Sequence, residues 1–164
     1  MRMRPAPGFT LIEILIYTAA VAVVMVGVTL LATAALSVRS QVRASIILEE
    51  NYRFATNRIV SLINGAVGIT EPLTGFTGQE IILIMREPAV NPTVINTQDG
   101  VVFVRQGAGQ PVALTSEEVD IDSLQFIRAS STIPMVRVVM SGALRDAHPS
   151  YPSLTVTTTA VVRQ

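Results

Sequence analysis

The sequence predicts an α+β chain: one long N-terminal helix, transmembrane in its first half and amphipathic in its second, packed on a mostly antiparallel β-sheet. Three features predict it. Residues 14–38 carry no charged side chain. Apolar residues then continue at helical spacing, with no Pro, to about residue 63. After Gly65 the chain becomes short β-rich runs separated by Gly and Pro.

The apolar run comes first. As a helix, 25 uncharged residues reach about 37 Å, enough to cross roughly 30 Å of hydrocarbon with some tilt. The run is too long for the core of a secretory signal peptide, so it reads as an anchor that stays. Arg2 and Arg4 precede it, and Arg39 and Arg43 follow, so basic residues alone do not orient it. Gly27 and Thr29 are its weak helix formers. Thr18 with Ala22, and Thr29 with Thr33, place small residues four apart, where a neighbouring helix can approach closely.

Beyond the run, Val38, Val42, Ile46, Tyr52, Ala55, Ile59 and Leu62 trace one apolar face. Arg39, Arg43, Glu49, Glu50, Arg53 and Arg58 mostly occupy the remainder. A helix from residue 9 to about 63 would be roughly 80 Å long, all-apolar first and amphipathic second. Gly65 marks its end.

The sheet follows. "EIILIMRE" at 80–87 is an apolar strand, and "VINTQDGVVFVRQ" places Asp99-Gly100 between two β-rich runs as a hairpin turn. "PVALTS", "SLQFIRAS", "PMVRVVMS" and "SLTVTTTAVVR" complete the set. In the last, Thr155, Thr157 and Thr159 form one wet face. Pro88, Pro92, Pro111, Pro134, Pro149 and Pro152 fall between the runs, where a missing donor does no harm.

Composition narrows the function. A chain of 164 residues suits one globular domain plus an anchor. No Cys is present, which excludes disulfides, zinc-thiolate sites and cysteine nucleophiles. All twelve basic residues are Arg, scattered rather than clustered, so charge gives no support for nucleic-acid binding.

"GFTLIE" at 8–13, directly before the apolar run, resembles the processing site of the type IV pilin-like family: pilins, minor pilins, and the pseudopilins of type II secretion and competence systems. The resemblance covers the N-terminal third. It implies that a prepilin peptidase cuts between Gly8 and Phe9 on the cytoplasmic side and methylates the new N-terminal Phe9. It makes Glu13 the assembly acid, and it orients the chain with its leader inside and its sheet domain outside. Pro7 stands where the family often has a basic residue.

The residues themselves fit this chemistry. Gly8 has no side chain and suits close approach by a protease, while Pro5 and Pro7 keep the leader extended. A freed Phe9 would carry an ammonium, with Glu13 four residues on, about 6 Å along the axis and on the same face. That carboxylate can offset its own amine and the positive end of the helix dipole. It can equally meet the amine of a neighbouring helix at a similar axial offset. Charges inside a membrane-like bundle cost a few kcal/mol unless paired, so such a contact would select one stagger. The plain alternative is a carboxylate resting at the headgroup boundary of an ordinary anchor.

Within the family, "VDIDSLQF" at 119–126 resembles the V-x-V/I-x-x-L-x-F strand of minor pilins and J-type minor pseudopilins. The C-terminal Cys pair of many major pilins is absent, and the retained Glu13 differs from the tip-capping pseudopilin. Four acids, Glu117, Glu118, Asp120 and Asp122, cluster here. They read as a solvated strand edge. A calcium site, known in some relatives, is the other reading, without EF-hand spacing.

Two stretches imitate catalytic sites. In "RDAHPSYPS", Asp146, His148 and Ser150 alternate, but alternate residues of an extended segment stand about 6.6 Å apart, too far for a triad. "RQGAGQPV" has Val112 where a phosphate loop would need a third Gly, and reads as a turn.

The expected organisation is a leader at 1–8, a transmembrane and filament-core helix at 9–38, its amphipathic continuation at 39–65, and an extracytoplasmic β-sheet domain at 66–164. The expected function is that of a minor pilin or pseudopilin: a structural subunit, not an enzyme. It would use no cofactor, metal or small-molecule substrate. Expected partners are the prepilin peptidase, other pilins or pseudopilins, the inner-membrane assembly machinery and the lipid bilayer. The chain would sit in the inner membrane and then in a pilus or periplasmic pseudopilus. The rival from another class is a single-pass sensor or binding domain on an uncleaved anchor. A membrane-tethered hydrolase would need Asp146 or His148.

Overall fold

A computed structural model of the chain describes residues 10–129, 134–145 and 153–162. Helix α1 runs unbroken over Leu11–Gly65. The chain divides into two compact units, the boundary falling between Gln41 and Val42 within that helix.

In the first unit the apolar side chains of α1, from Leu11 to Val38, are exposed around the helix. Three of its Thr side chains turn inward on the backbone. The Thr18 hydroxyl donates to Leu15 O at 3.0 Å, Thr29 to Met25 O at 2.8 Å and Thr33 to Leu30 O at 2.9 Å. The helix continues through Gly27 and Thr29 without a break.

In the second unit α1 buries Ala44, Leu48, Tyr52, Ala55, Ile59, Leu62 and Ile63. From Tyr52 onward this is the face expected from sequence. Before it, the expected Val38, Val42 and Ile46 are more than half exposed, and Ala44 and Leu48 are buried instead. The step from Ile46 to Tyr52 spans six residues, about 240° around the helix, so those two side chains never shared a face. Four-residue steps back from Tyr52 reach Leu48 and Ala44. The helix ends at Gly65 and passes directly into β1, Ala66–Glu71.

The remaining strands are β2 (Thr77–Gly78), β3 (Ile81–Met85), β4 (Thr93–Gln98), β5 (Val101–Gln106), β6 (Val112–Ala113), β7 (Val119–Arg128), β8 (Met135–Leu144) and β9 (Leu154–Val161), with a short 3-10 turn at Pro88–Val90. They form two sheets, ordered β1-β3-β4-β5-β6 and β2-β7-β8-β9. Every pairing among the described residues is antiparallel. The fold is therefore α+β, with the helix packed against antiparallel sheets. β1 and β2 are not among the strands expected from sequence. The pairing of β1 with β3 shifts register twice, and β2 is two residues long.

The β4–β5 hairpin turns at Asp99 and Gly100, with φ of 50° and 75°. Two successive left-handed residues are what a tight two-residue hairpin requires, which is why Asp-Gly stands there. Thr155, Thr157 and Thr159 lie exposed on β9, while the intervening residues are half-covered.

One core joins α1 to both sheets. Tyr52, Ala55, Ile59 and Ile63 pack with Ile81, Leu83, Ile95 and Val102 of the first sheet, and with Val119, Phe126, Val136 and Met140 of the second. Polar contacts close the seams. The hairpin tip meets β7, where Ile121 N–H donates to Gly100 O at 2.8 Å. Arg145 donates to Asp99 O and lies 3.6 Å from Asp120. Half-buried Arg128 donates from Nη1 to Ile69 O at 2.9 Å and to Pro72 O at 3.2 Å, tying the end of β1 to β7. Asn51 and Asn64 of α1 accept from Ser116 N–H at 2.8 Å and Val161 N–H at 3.3 Å.

Two positions test this packing. At Gly142 a Cβ would run into the Asp120 carbonyl oxygen and lie 2.9 Å from the Tyr52 hydroxyl. Gly142→Ala should destabilise the folded chain by roughly 1–3 kcal/mol, measured by chemical unfolding. The Tyr52 hydroxyl is buried without a hydrogen-bond partner. Burial, with nearby Asp122 adding to it, pushes its pKa from 10.0 up to about 12. The unfolded chain therefore releases this proton first. Stability should be whole below pH 10 and fall as pH rises towards 12. Tyr52→Phe should remove that alkaline slope at no more than a small cost in stability at neutral pH.

Candidate assembly site at the helix N-terminus

The first turn of α1 is organised by Thr10. Its carbonyl oxygen accepts from Glu13 N–H at 3.1 Å and Ile14 N–H at 3.3 Å, and its hydroxyl oxygen accepts from Glu13 N–H at 3.3 Å. Thr10 is thus the N-cap, satisfying donors that the first turn leaves without partners. The sequence "TLIE" has the S/T-x-x-E spacing of a capping box, a signal the sequence reading passed over. Thr10 belongs beside Glu13 in the candidate site.

Glu13 follows as the third helical residue and is the acid of the first turn. It is half-covered, whereas its described neighbours to Leu36 are exposed. At this position a carboxylate faces the positive end of the helix dipole and the free amides of the first turn. The cap and the acid therefore cooperate: one fixes where the helix begins, the other places negative charge at that end. Gly8 and Phe9, the expected cleavage and methylation residues, lie outside the described residues.

Past this turn, α1 is long and apolar enough to cross a membrane. Three of its Thr hydroxyls are satisfied by its own carbonyls, the arrangement a helix needs where no water can serve as partner. Thr18 and Ala22 are both exposed, as are Thr29 and Thr33, so the narrow patches remain open on the surface of this unit.

The other marked residues lie elsewhere. Asp146, His148 and Ser150 fall outside the described residues. "RQGAGQPV" is the β5–β6 turn, with Gly107 N–H donating to Pro92 O at 2.9 Å and Gly109 N–H to Gln106 O at 3.0 Å. Glu117, Glu118 and Asp122 are exposed, while Asp120 is half-buried beside Arg145. No group of three or more acids or histidines converges as metal ligands among the described residues. Asp120 instead helps hold the hairpin tip to β7. Comparisons with family models, with curated proteins and with solved structures found no match.

Losing the cap should loosen the first turn. Thr10→Ala should cost about 1 kcal/mol at the helix end, read as faster amide exchange at residues 11–14 in detergent micelles, with the unfolding of the sheet unit unchanged.

Proposed function

We propose that the chain is a minor pilin or pseudopilin, a structural subunit of a type IV pilus or type II secretion-like filament. In this reading a prepilin peptidase removes residues 1–8 and methylates Phe9. The subunit waits in the inner membrane with its sheet domain outside, then enters the filament through α1. The observation that carries the proposal is the run "GFTLIE" placed against the capped start of an apolar helix that continues into an antiparallel sheet unit.

The physical role assigned to Glu13 follows from cost. A carboxylate drawn into an apolar bundle loses hydration worth a few kcal/mol, and an ammonium at the neighbouring helix start recovers it only at a matching axial offset. The pair would therefore define how far one subunit sits along the next. The exposed small-residue positions of α1 would let neighbouring helices come close enough for that offset to be selective. Nothing in this role asks for a catalytic group, a cofactor or a metal.

Two measurements test the reading. Mass spectrometry of the chain from its own host should find a mature N-terminus at methylated Phe9. An intact 1–8 segment would instead support an uncleaved anchor. Glu13→Gln should still insert in the membrane and be cleaved, but its incorporation into filaments should fall about tenfold or more, the equivalent of at least about 1.4 kcal/mol of pairing.

A further inference from the structure

We propose that the turn bearing Leu73 and Phe76 in one copy seats in the groove between α1 and β9 of the next copy, joining sheet units head to tail. The inference rests on the filament-subunit reading for one thing: the helices must already hold the copies together.

The turn is an apolar knob on a fixed mount. Leu73 and Phe76 are 61% and 64% exposed. Phe76 N–H donates to Leu73 O at 3.0 Å across Gly75, whose φ is +84°. The same turn is pinned to β7, with Gly75 N–H donating to Arg128 O at 2.9 Å and Arg128 N–H to Phe76 O at 3.1 Å. Because this backbone is already ordered, docking would cost little conformational entropy.

The groove is its counterpart. α1 meets β9 closely where Asn64 caps Val161. Towards the start of the strand, among the described residues, it leaves an opening of about 310 Å³ lined by Ser45, Leu48, Glu49, Ser153, Leu154 and Val156. A dry cavity of roughly 150 Å³ holds a benzene ring, so an opening of this size accommodates a Phe ring with a Leu beside it. One charge pair matches at the margin. Exposed Glu71 leads into the knob, and exposed Arg53 lines the continuation of the groove beside Glu49; neither Glu71 nor Arg53 is ion-paired among the described residues.

Area and position decide the occupant. Leu73 and Phe76 together offer on the order of 200 Å², well below the roughly 800 Å² per partner of a stable complex. The contact therefore suits copies concentrated by their anchors rather than a free dimer. The knob stands at the β2 edge of the second sheet and the groove at the β9 edge. Through the pairings of Arg128 with Val136 and of Val136 with Ala160, the knob is level with the end of β9, about 13 Å along the strand from Val156 and about 20 Å from Leu154. Two different patches on opposite edges, offset along the strands, form a contact that repeats instead of closing on itself.

The chain has no Cys, so cross-linking is unambiguous. Full-length chain carrying Thr74→Cys, an exposed position of the same turn that keeps Leu73 and Phe76, with Ser153→Cys, oxidised mildly in its own membrane, should give a ladder of dimers, trimers and higher species. Glu49→Cys in place of Ser153→Cys should give the same ladder, and each single variant should stay monomeric. Glu71→Arg or Arg53→Glu should weaken the ladder at least fivefold, and the two together should restore it. Dimers from Thr74→Cys alone, cross-links only to a different protein, or no ladder from either pair at normal protein levels would overturn the proposal. A methylated Phe9 without a ladder removes this contact alone. A ladder from chain with intact residues 1–8 keeps the contact and removes the filament reading.

Discussion

One face of one helix carries the second unit. The sheets are each apolar on a face that water must not reach, and the side chains from Ala44 to Ile63 are what both faces share. A two-sheet arrangement of this size has no other helix among the described residues to cover it. Tyr52 is the largest side chain buried in that face, its ring covered at the cost of a hydroxyl with no partner. Removing the helix would expose the inner residues of β3, β4, β7 and β8 together, so the sheet unit and the helix are one cooperative object from Val42 onward.

Polar residues then fix how the sheets meet. Each places a donor or acceptor where a backbone group would otherwise be left without a partner. Asn51 and Asn64 reach from the helix to the approach to β7 and to the edge of β9. Arg128 and Arg145 bind carbonyls at the two seams. These are side-chain to backbone bonds, charge-assisted where Arg donates; those of Asn64 and Arg128 lie partly buried, where they are stronger than exposed ion pairs. Asp120, from the acidic cluster, takes part in one of these seams through Arg145.

The first unit obeys a different rule. Its surface is apolar all round, so each polar group must be satisfied from within or kept at the end. The three Thr hydroxyls follow the first course, and Thr10 with Glu13 the second. A carboxylate in the first turn of such a helix is stabilised by the helix itself before any partner arrives. That gives the proposed assembly role an economical physical basis: the charge is already positioned, and only its counterpart has to come to it.

Much of this was legible in the order of residues. Uncharged length announces an apolar helix long enough to cross a membrane, Asp-Gly between β-rich runs announces a hairpin, and alternating Thr announces a wet strand face, because each depends on neighbours in the chain. The Thr10 cap was equally legible, in the spacing of "TLIE". Other features depend on residues far apart in sequence. The true buried face before Tyr52 was set by which side of the helix the sheets reached. The division of strands into two sheets, the tie from Arg128 to Ile69, and the placing of knob and groove on opposite edges arise only when distant strands pair. Local propensity reaches a few residues along the backbone, whereas sheet order and burial are decided by contacts that no local pattern encodes.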